Sequence, residues 1–131
     1  MNKKILVFGG SGFIGVSLVM ALVKEGYQVC VVCTNKKKAL DRVIQHKNVQ
    51  IKVIDIFNKA QLTDLVKQYD VVINLIGKLF ESKKGDFANF HCKFPDILSK
   101  IVTNSQHLMH ISALGVEKSS KTSIYARTKL D

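Results

Sequence analysis

Residues Gly9, Gly10, Ser11, Gly12, Phe13, Ile14 and Gly15 have the composition and spacing of a turn that holds phosphate. They follow the apolar run Ile5-Leu6-Val7-Phe8 and lead into an apolar stretch of helical length. Two registers fit: Gly10, Gly12 and Gly15 read G-x-G-x-x-G, and Gly9, Gly12 and Gly15 read G-x-x-G-x-x-G. Both describe one device. Glycine early in the turn permits angles that a Cβ blocks, Gly12 lets the main chain approach a pyrophosphate, and Gly15 lets the helix lie against the strand. Main-chain N–H groups at the helix start then face the anion. The plainer alternative is an ordinary glycine-rich turn, but the strand, turn, helix context is the one the fingerprint requires.

Further polar groups fall where such a fold would use them. An acid about 20 residues after the fingerprint binds a ribose 2′-hydroxyl and favours NAD(H), whereas cations accept a 2′-phosphate. Here Thr34, Asn35 and Lys36 are followed by Lys37 and Lys38, with no acid before Asp41. That favours NADP(H), with NAD(H) the alternative. Lysines that merely solvate a helix start are the plain reading, although cations are disfavoured there. Asp55, with Ile56 beside it, either meets an adenine amino group or simply ends a strand. Leu75, Ile76 and Gly77 close another strand, and Ser112 follows a fifth. Tyr125 and Lys129, four apart, share one face of a helix.

The elements that must position these residues alternate strand and helix. Strands are expected over 4–8, 27–33, 49–54, 71–76 and 107–111. Helices are expected over 12–25, stopping at Gly26, and after Thr34 and Asn35, with Ala39, Leu40, Val43 and Ile44 on one face. A third is capped by Asn58 and buries Leu62, Leu65, Val66 and Tyr69. A longer helical region carries Phe87, Phe90, Phe94, Leu98 and Ile101, with Pro95 starting or kinking a segment. A last helix begins near Ser123. The pattern implies an α/β, Rossmann-type, doubly wound parallel sheet of order 3-2-1-4-5 with helices on both faces. Each polar or glycine cluster then falls at the carboxyl ends of the strands, where such sheets bind ligands.

Composition narrows the rest. The 131 residues suit one domain. No run is long enough to span a membrane, and Met1-Asn2-Lys3-Lys4 leads straight into a strand, so a cytoplasmic protein without a leader is expected. The net charge of +10 comes mostly from scattered lysines without interleaved aromatics, which argues for a solvated surface rather than a nucleic-acid interface. Cys30 and Cys33 are spaced C-x-x-C but lie in a strand, where residues three apart face opposite sides. They read as buried core cysteines, and no metal site is expected.

Together, Gly9 to Gly15, Asn74-Leu75-Ile76-Gly77, Ser112 and Tyr125-Ala126-Arg127-Thr128-Lys129 resemble the short-chain dehydrogenase/reductase superfamily in its extended or atypical branch. The resemblance implies that Tyr125 exchanges a proton with substrate while nicotinamide exchanges hydride. It further implies that Lys129 lowers the tyrosine pKa and holds the nicotinamide ribose, and that Ser112 hydrogen-bonds the reacting oxygen. The stretches 73–84 and 110–115 resemble the NADPH-binding accessory subunits of respiratory complex I and their bacterial relatives. That likeness implies a non-catalytic or assembly role with respiratory-complex subunits as partners.

The chain departs from the superfamily pattern at Lys93, where many relatives carry asparagine, and at Thr34, where many carry arginine. It ends at Asp131, two residues after Lys129, before the substrate-binding part that usually follows. A truncated domain is therefore expected, inactive by itself and prone to pair with the missing portion or with a second copy through the exposed edge of strand 5. A decayed gene fragment without activity is a further alternative.

Overall fold

The computed structural model describes residues 3–10, 12–33, 36–43, 45–76 and 93–110. In chain order these form β1 (Lys4–Phe8), α1 (Phe13–Lys24), β2 (Gln28–Cys33), α2 (Lys36–Arg42), β3 (Val49–Val53), α3 (Lys59–Val66), β4 (Val71–Asn74), α4 (Phe94–Ile101) and β5 (His107–His110). All the pairings are parallel and the strand order is β3-β2-β1-β4-β5, as the alternating pattern implies.

The central strands are apolar except at Lys4, Gln28 and Asn74 at their ends, because both their faces are covered. Leu6 and Phe8 of β1, Cys30 and Val32 of β2, and Val72 of β4 pack with Leu62, Leu65 and Val66 of α3 and with Phe94 and Leu98 of α4. Ile5, Val7, Val29, Val31 and Ile73 point the other way, toward Val19 and Val23 of α1 and Val43 just beyond α2. Phe8 and Phe94 meet edge to face, with ring centroids 5.1 Å apart, a geometry favoured by aromatic quadrupoles.

The helix ends show how local sequence fixes the frame. Gly26 has φ +88, and its N–H donates to the Val23 carbonyl while the Tyr27 N–H donates to that of Leu22. This pair of bonds is a Schellman stop, and it explains why β2 begins at Gln28 rather than Tyr27. The Asn58 side chain accepts the Gln61 N–H at 3.2 Å and caps α3. Pro95 lies in the first turn of α4, where a missing N–H leaves no helical bond unmade.

Two strands are shorter than the apolar runs suggest. β4 ends at Asn74, whose side-chain oxygen accepts the Ile76 N–H at 3.1 Å and turns the chain. β3 ends at Val53, level with Cys33 of β2. Leu40, expected on the buried face of α2, is 41% exposed, whereas Ala39 and Val43 are buried. Leu62, Leu65, Val66 and Tyr69 are buried as the α3 pattern requires. Among the described residues, no helix is long and apolar enough to cross a membrane.

Candidate functional site

The glycine turn joins β1 to α1 at the carboxyl edge of the sheet, and its glycines do different jobs. Gly9 has φ +83, and a Cβ there would lie 3.0 Å from the Ile76 nitrogen and 3.0 Å from the Leu75 carbonyl carbon. The turn is thus packed against the exit of β4, which is fixed in place by the Leu75 N–H donating to the Phe8 carbonyl at 2.8 Å. A Cβ on Gly10 would meet the buried Val31 side chain at 2.8 Å. One on Gly15 would strike the Gly9 carbonyl oxygen and come within 2.6 Å of the Gly10 Cα, so glycine lets α1 sit on its own turn. Gly12 differs. Its φ is −78, and a Cβ would make only an ordinary contact, 3.5 Å from the Gly9 oxygen.

Gly12 is also the residue that caps α1. It offers no side-chain bond, and the first turn contains no acid. The first-turn N–H groups, at Phe13, Ile14 and Gly15, have no helical partners, and no acid in the first turn offsets the positive end of the helix dipole. Ile14 is 58% exposed, which places an apolar side chain on the outer surface beside this terminus.

Around the turn, the structure separates the other candidates. Lys36 and Lys37 are exposed at the start of α2, just beyond β2. Asp55 lies two residues past β3; its carboxylate accepts the Phe57 N–H at 3.0 Å and its carbonyl accepts the Asn58 N–H at 3.0 Å. Asp55 therefore builds the turn leading into α3. The Ile56 side chain is buried in the core formed with α3 and α4. Leu75 and Ile76 are half-buried beside Gly9 and pack on opposite faces of the sheet. Ser11, Thr34, Asn35, Gly77, Ser112, Tyr125 and Lys129 lie outside the described residues, as do Phe87, Phe90 and the last expected helix. Lys93 stands at the head of α4, with its ammonium 5.7 Å from the Phe57 ring centroid.

Asn74 belongs with this edge, where the sequence places the Asn74 to Gly77 cluster without giving the Asn74 side chain a role of its own. It is the buried polar side chain of the described core, 1% exposed. Its oxygen holds the Ile76 N–H, and its nitrogen lies 3.1 Å from Nδ1 of His110 at the end of β5. With the amide so oriented, Nδ1 acts as the acceptor. Asn74 thereby fixes the backbone that abuts Gly9. A lone amide in an otherwise apolar strand was the signal available.

Cys30 and Cys33 are both buried. Cys30 packs on the α3 side, and burial raises its thiol pKa from the ordinary 9.0. The Cys33 thiol lies 3.7 Å from the Lys52 carbonyl oxygen. Among the described residues, no three His, Cys, Asp or Glu side chains are gathered as metal ligands.

A five-stranded parallel sheet of this order, with a glycine turn at the end of its central strand, defines a Rossmann-type domain. Residues 1–87 match the NmrA-like family, and the chain belongs to that family. Over 77 residues it is 39% identical to the UDP-N-acetyl-alpha-D-glucosaminuronate decarboxylase of Bacillus cytotoxicus, covering 57% of this chain and 24% of that enzyme. The fold is similar to that of the Bordetella bronchiseptica enzyme WbmH, solved in complex with NAD+, with TM-score 0.81 at 15% identity, over 99% of this chain and 50% of that one. It is also similar to a short chain dehydrogenase from Leptospira borgpetersenii with bound NAD+, with TM-score 0.76 at 17% identity, over 99% of this chain and 61% of that one. The chain thus spans about a quarter to a third of the length of the curated relatives it matches.

Proposed function

We propose that the carboxyl edge of this domain binds a nicotinamide dinucleotide, with its pyrophosphate over Gly12 and the first turn of α1. One observation carries the reading: the fold itself requires glycine at positions 9, 10 and 15, but among the described residues no contact requires it at 12. A bare main chain at a helix start whose cap residue has no side chain suits the close approach of an anion. The NAD+ carried by WbmH and by the Leptospira dehydrogenase supports the same class of ligand.

Between the two dinucleotides, Lys36 and Lys37 support NADP(H), with Thr34 and Asn35 as neutral contacts beside them. Asp55, Ile56, Leu75, Ile76 and Gly77 are assigned to the adenine and ribose side of the crevice, through main chain where the side chain is buried. Calorimetric titration with NADPH and NADH tests both levels. Saturable binding that is lost in a folded Gly12→Ala variant supports the site, and tighter NADPH binding supports the phosphate preference. A folded chain that binds neither nucleotide overturns the reading.

For the whole protein we propose a short-chain reductase, dehydrogenase or sugar-nucleotide enzyme that uses Ser112, Tyr125 and Lys129. The support is the motif spacing and the sugar-nucleotide decarboxylase among its relatives. A non-catalytic role beside NADH:quinone oxidoreductase rests on the likeness of residues 73–84 and 110–115 alone. Affinity purification that retrieves subunits of that complex would favour this second role, and their absence would remove it.

A further inference from the structure

The described residues line a cavity of about 420 Å³ at the amino edge of the sheet, the opposite end from the glycine turn. It lies where β1, β2 and β3 begin and α3 gives way to Tyr69. Its volume falls within the range of small-molecule sites, which is about 300–1,000 Å³. Buried Cys30 and Tyr69 line it, together with Lys4, Lys47 and four side-chain amides, Gln50 and Gln68 among them. The polar lining has a structural origin. In the β2–β3 register Gln50 pairs with Cys30 and Lys52 with Val32, so the edge strand turns polar residues toward the face that α3 covers farther in.

Charge and hydrogen bonding are biased in one direction. Among the described residues, the lining contains two ammonium groups and no carboxylate. The Lys4 ammonium is already placed, 5.2 Å from the Tyr69 ring centroid. Asp70, beside Lys4, directs a carboxylate oxygen to the Lys4 backbone N–H at 2.9 Å. Carbonyls near a helix C-terminus would ordinarily repel an anion. Here those of Val66 and Tyr69 accept the Gln106 side-chain amide, at 2.8 and 2.7 Å. Burial keeps the Tyr69 phenol protonated well above its ordinary pKa of 10.0.

We propose that this groove binds a small multivalent oxyanion, a polycarboxylate or a phosphorylated compound, between Lys4, Lys47 and the surrounding amides. The site is independent of the dinucleotide reading and lies across the sheet from it. The test is an amide NMR titration of the full chain with citrate and, separately, with glycerol 3-phosphate, each at constant ionic strength.

The expected result is saturable shifts at Gln28, Asn48, Gln50 and Gln68 while Gly12 and Gly15 stay still. Lys4→Gln and Lys47→Gln should each weaken binding about two- to fivefold, the range of an exposed charge contact. Lys59→Gln, an exposed change at the far end of α3, should leave it intact. Saturation by citrate alone or by glycerol 3-phosphate alone supports the site and identifies its chemistry. Absence of shifts, or unsaturable shifts over many lysines that are unchanged in Lys47→Gln, overturns the proposal. The dispersed spectrum of each variant reports that it is folded.

Discussion

At the carboxyl edge of the sheet, main chain meets main chain: Gly9, Gly10 and Gly15 have no side chain because the exit of β4, the Val31 side chain and the turn itself occupy the space. At the amino edge the contacts are made by side chains, with Gln106 closing the end of α3 and Tyr69 holding Lys4 and Cys30. The first edge is set by backbone geometry and tolerates almost no added atom. The second is set by hydrogen bonds and charge, and it should respond to pH and to deletion of single polar groups. Candidate anion sites occur at both, but they are built from different materials.

The sharpest break in this comparison is Gly15→Ala. Its Cβ has nowhere to go without moving α1 off the turn, and overpacking of this kind costs about 3 kcal/mol; chemical denaturation measures it, and wild-type stability would contradict the packing described. Asn74→Ala should follow at about 1–2 kcal/mol, since it leaves the part-buried Ile76 N–H without its acceptor. It should also shift the Gly9 amide resonance.

Gly9→Ala should cost about 1–2 kcal/mol for a left-handed residue. Gly12→Ala should cost only about 1 kcal/mol, the loss expected when a cap glycine becomes the poorer cap alanine, while dinucleotide affinity falls tenfold or more. If positions 12 and 15 proved equally costly to the fold, the distinction between a structural and a ligand-facing glycine would fail.

The smallest effect belongs to the amino edge. The folded Cys30 thiol has a pKa raised by burial above the ordinary 9.0, so the unfolded chain loses this proton first. The stabilisation is fully present below pH 9 and is lost as pH rises beyond it toward the folded pKa. Urea denaturation at stepped pH should show a decline above that point that is shallower in Cys30→Val. The Tyr69 phenol, raised in the same direction, keeps part of the decline in that variant.

Most of the scaffold was legible because its signals are local. Alternating apolar runs, the Gly26 stop and the Asn58 cap each act within a few residues, and the strand order follows from right-handed crossovers. What the sequence hid was contact at a distance. The lone amide of Asn74 interrupts an apolar run, but nothing near it announces that it reaches His110, 36 residues on. The exposure of Leu40 likewise depends on how far a short helix at the sheet margin is covered. Within the glycine turn, the special backbone angle at Gly9 and the close approach at Gly15 follow the sequence reading, whereas the Val31 contact that requires Gly10 had no local signal. The equivalence of its registers was resolved by space alone: both Gly9 and Gly10 are required, for unrelated reasons.

The position of β1 at the centre of the sheet also sets an order of events for a growing chain. Its partner β2 follows within one helix, but its other partner β4 arrives 66 residues after Ile5, in the pairing of Ile5 with Val71. Long closures of this kind form late. The half-sheet β1-β2-β3 can assemble first, leaving Phe8 without Phe94 and Gly9 without the β4 exit. A nascent chain would therefore carry a glycine turn of the right sequence but without its supporting wall, and the proposed nucleotide binding should appear only when β4 docks.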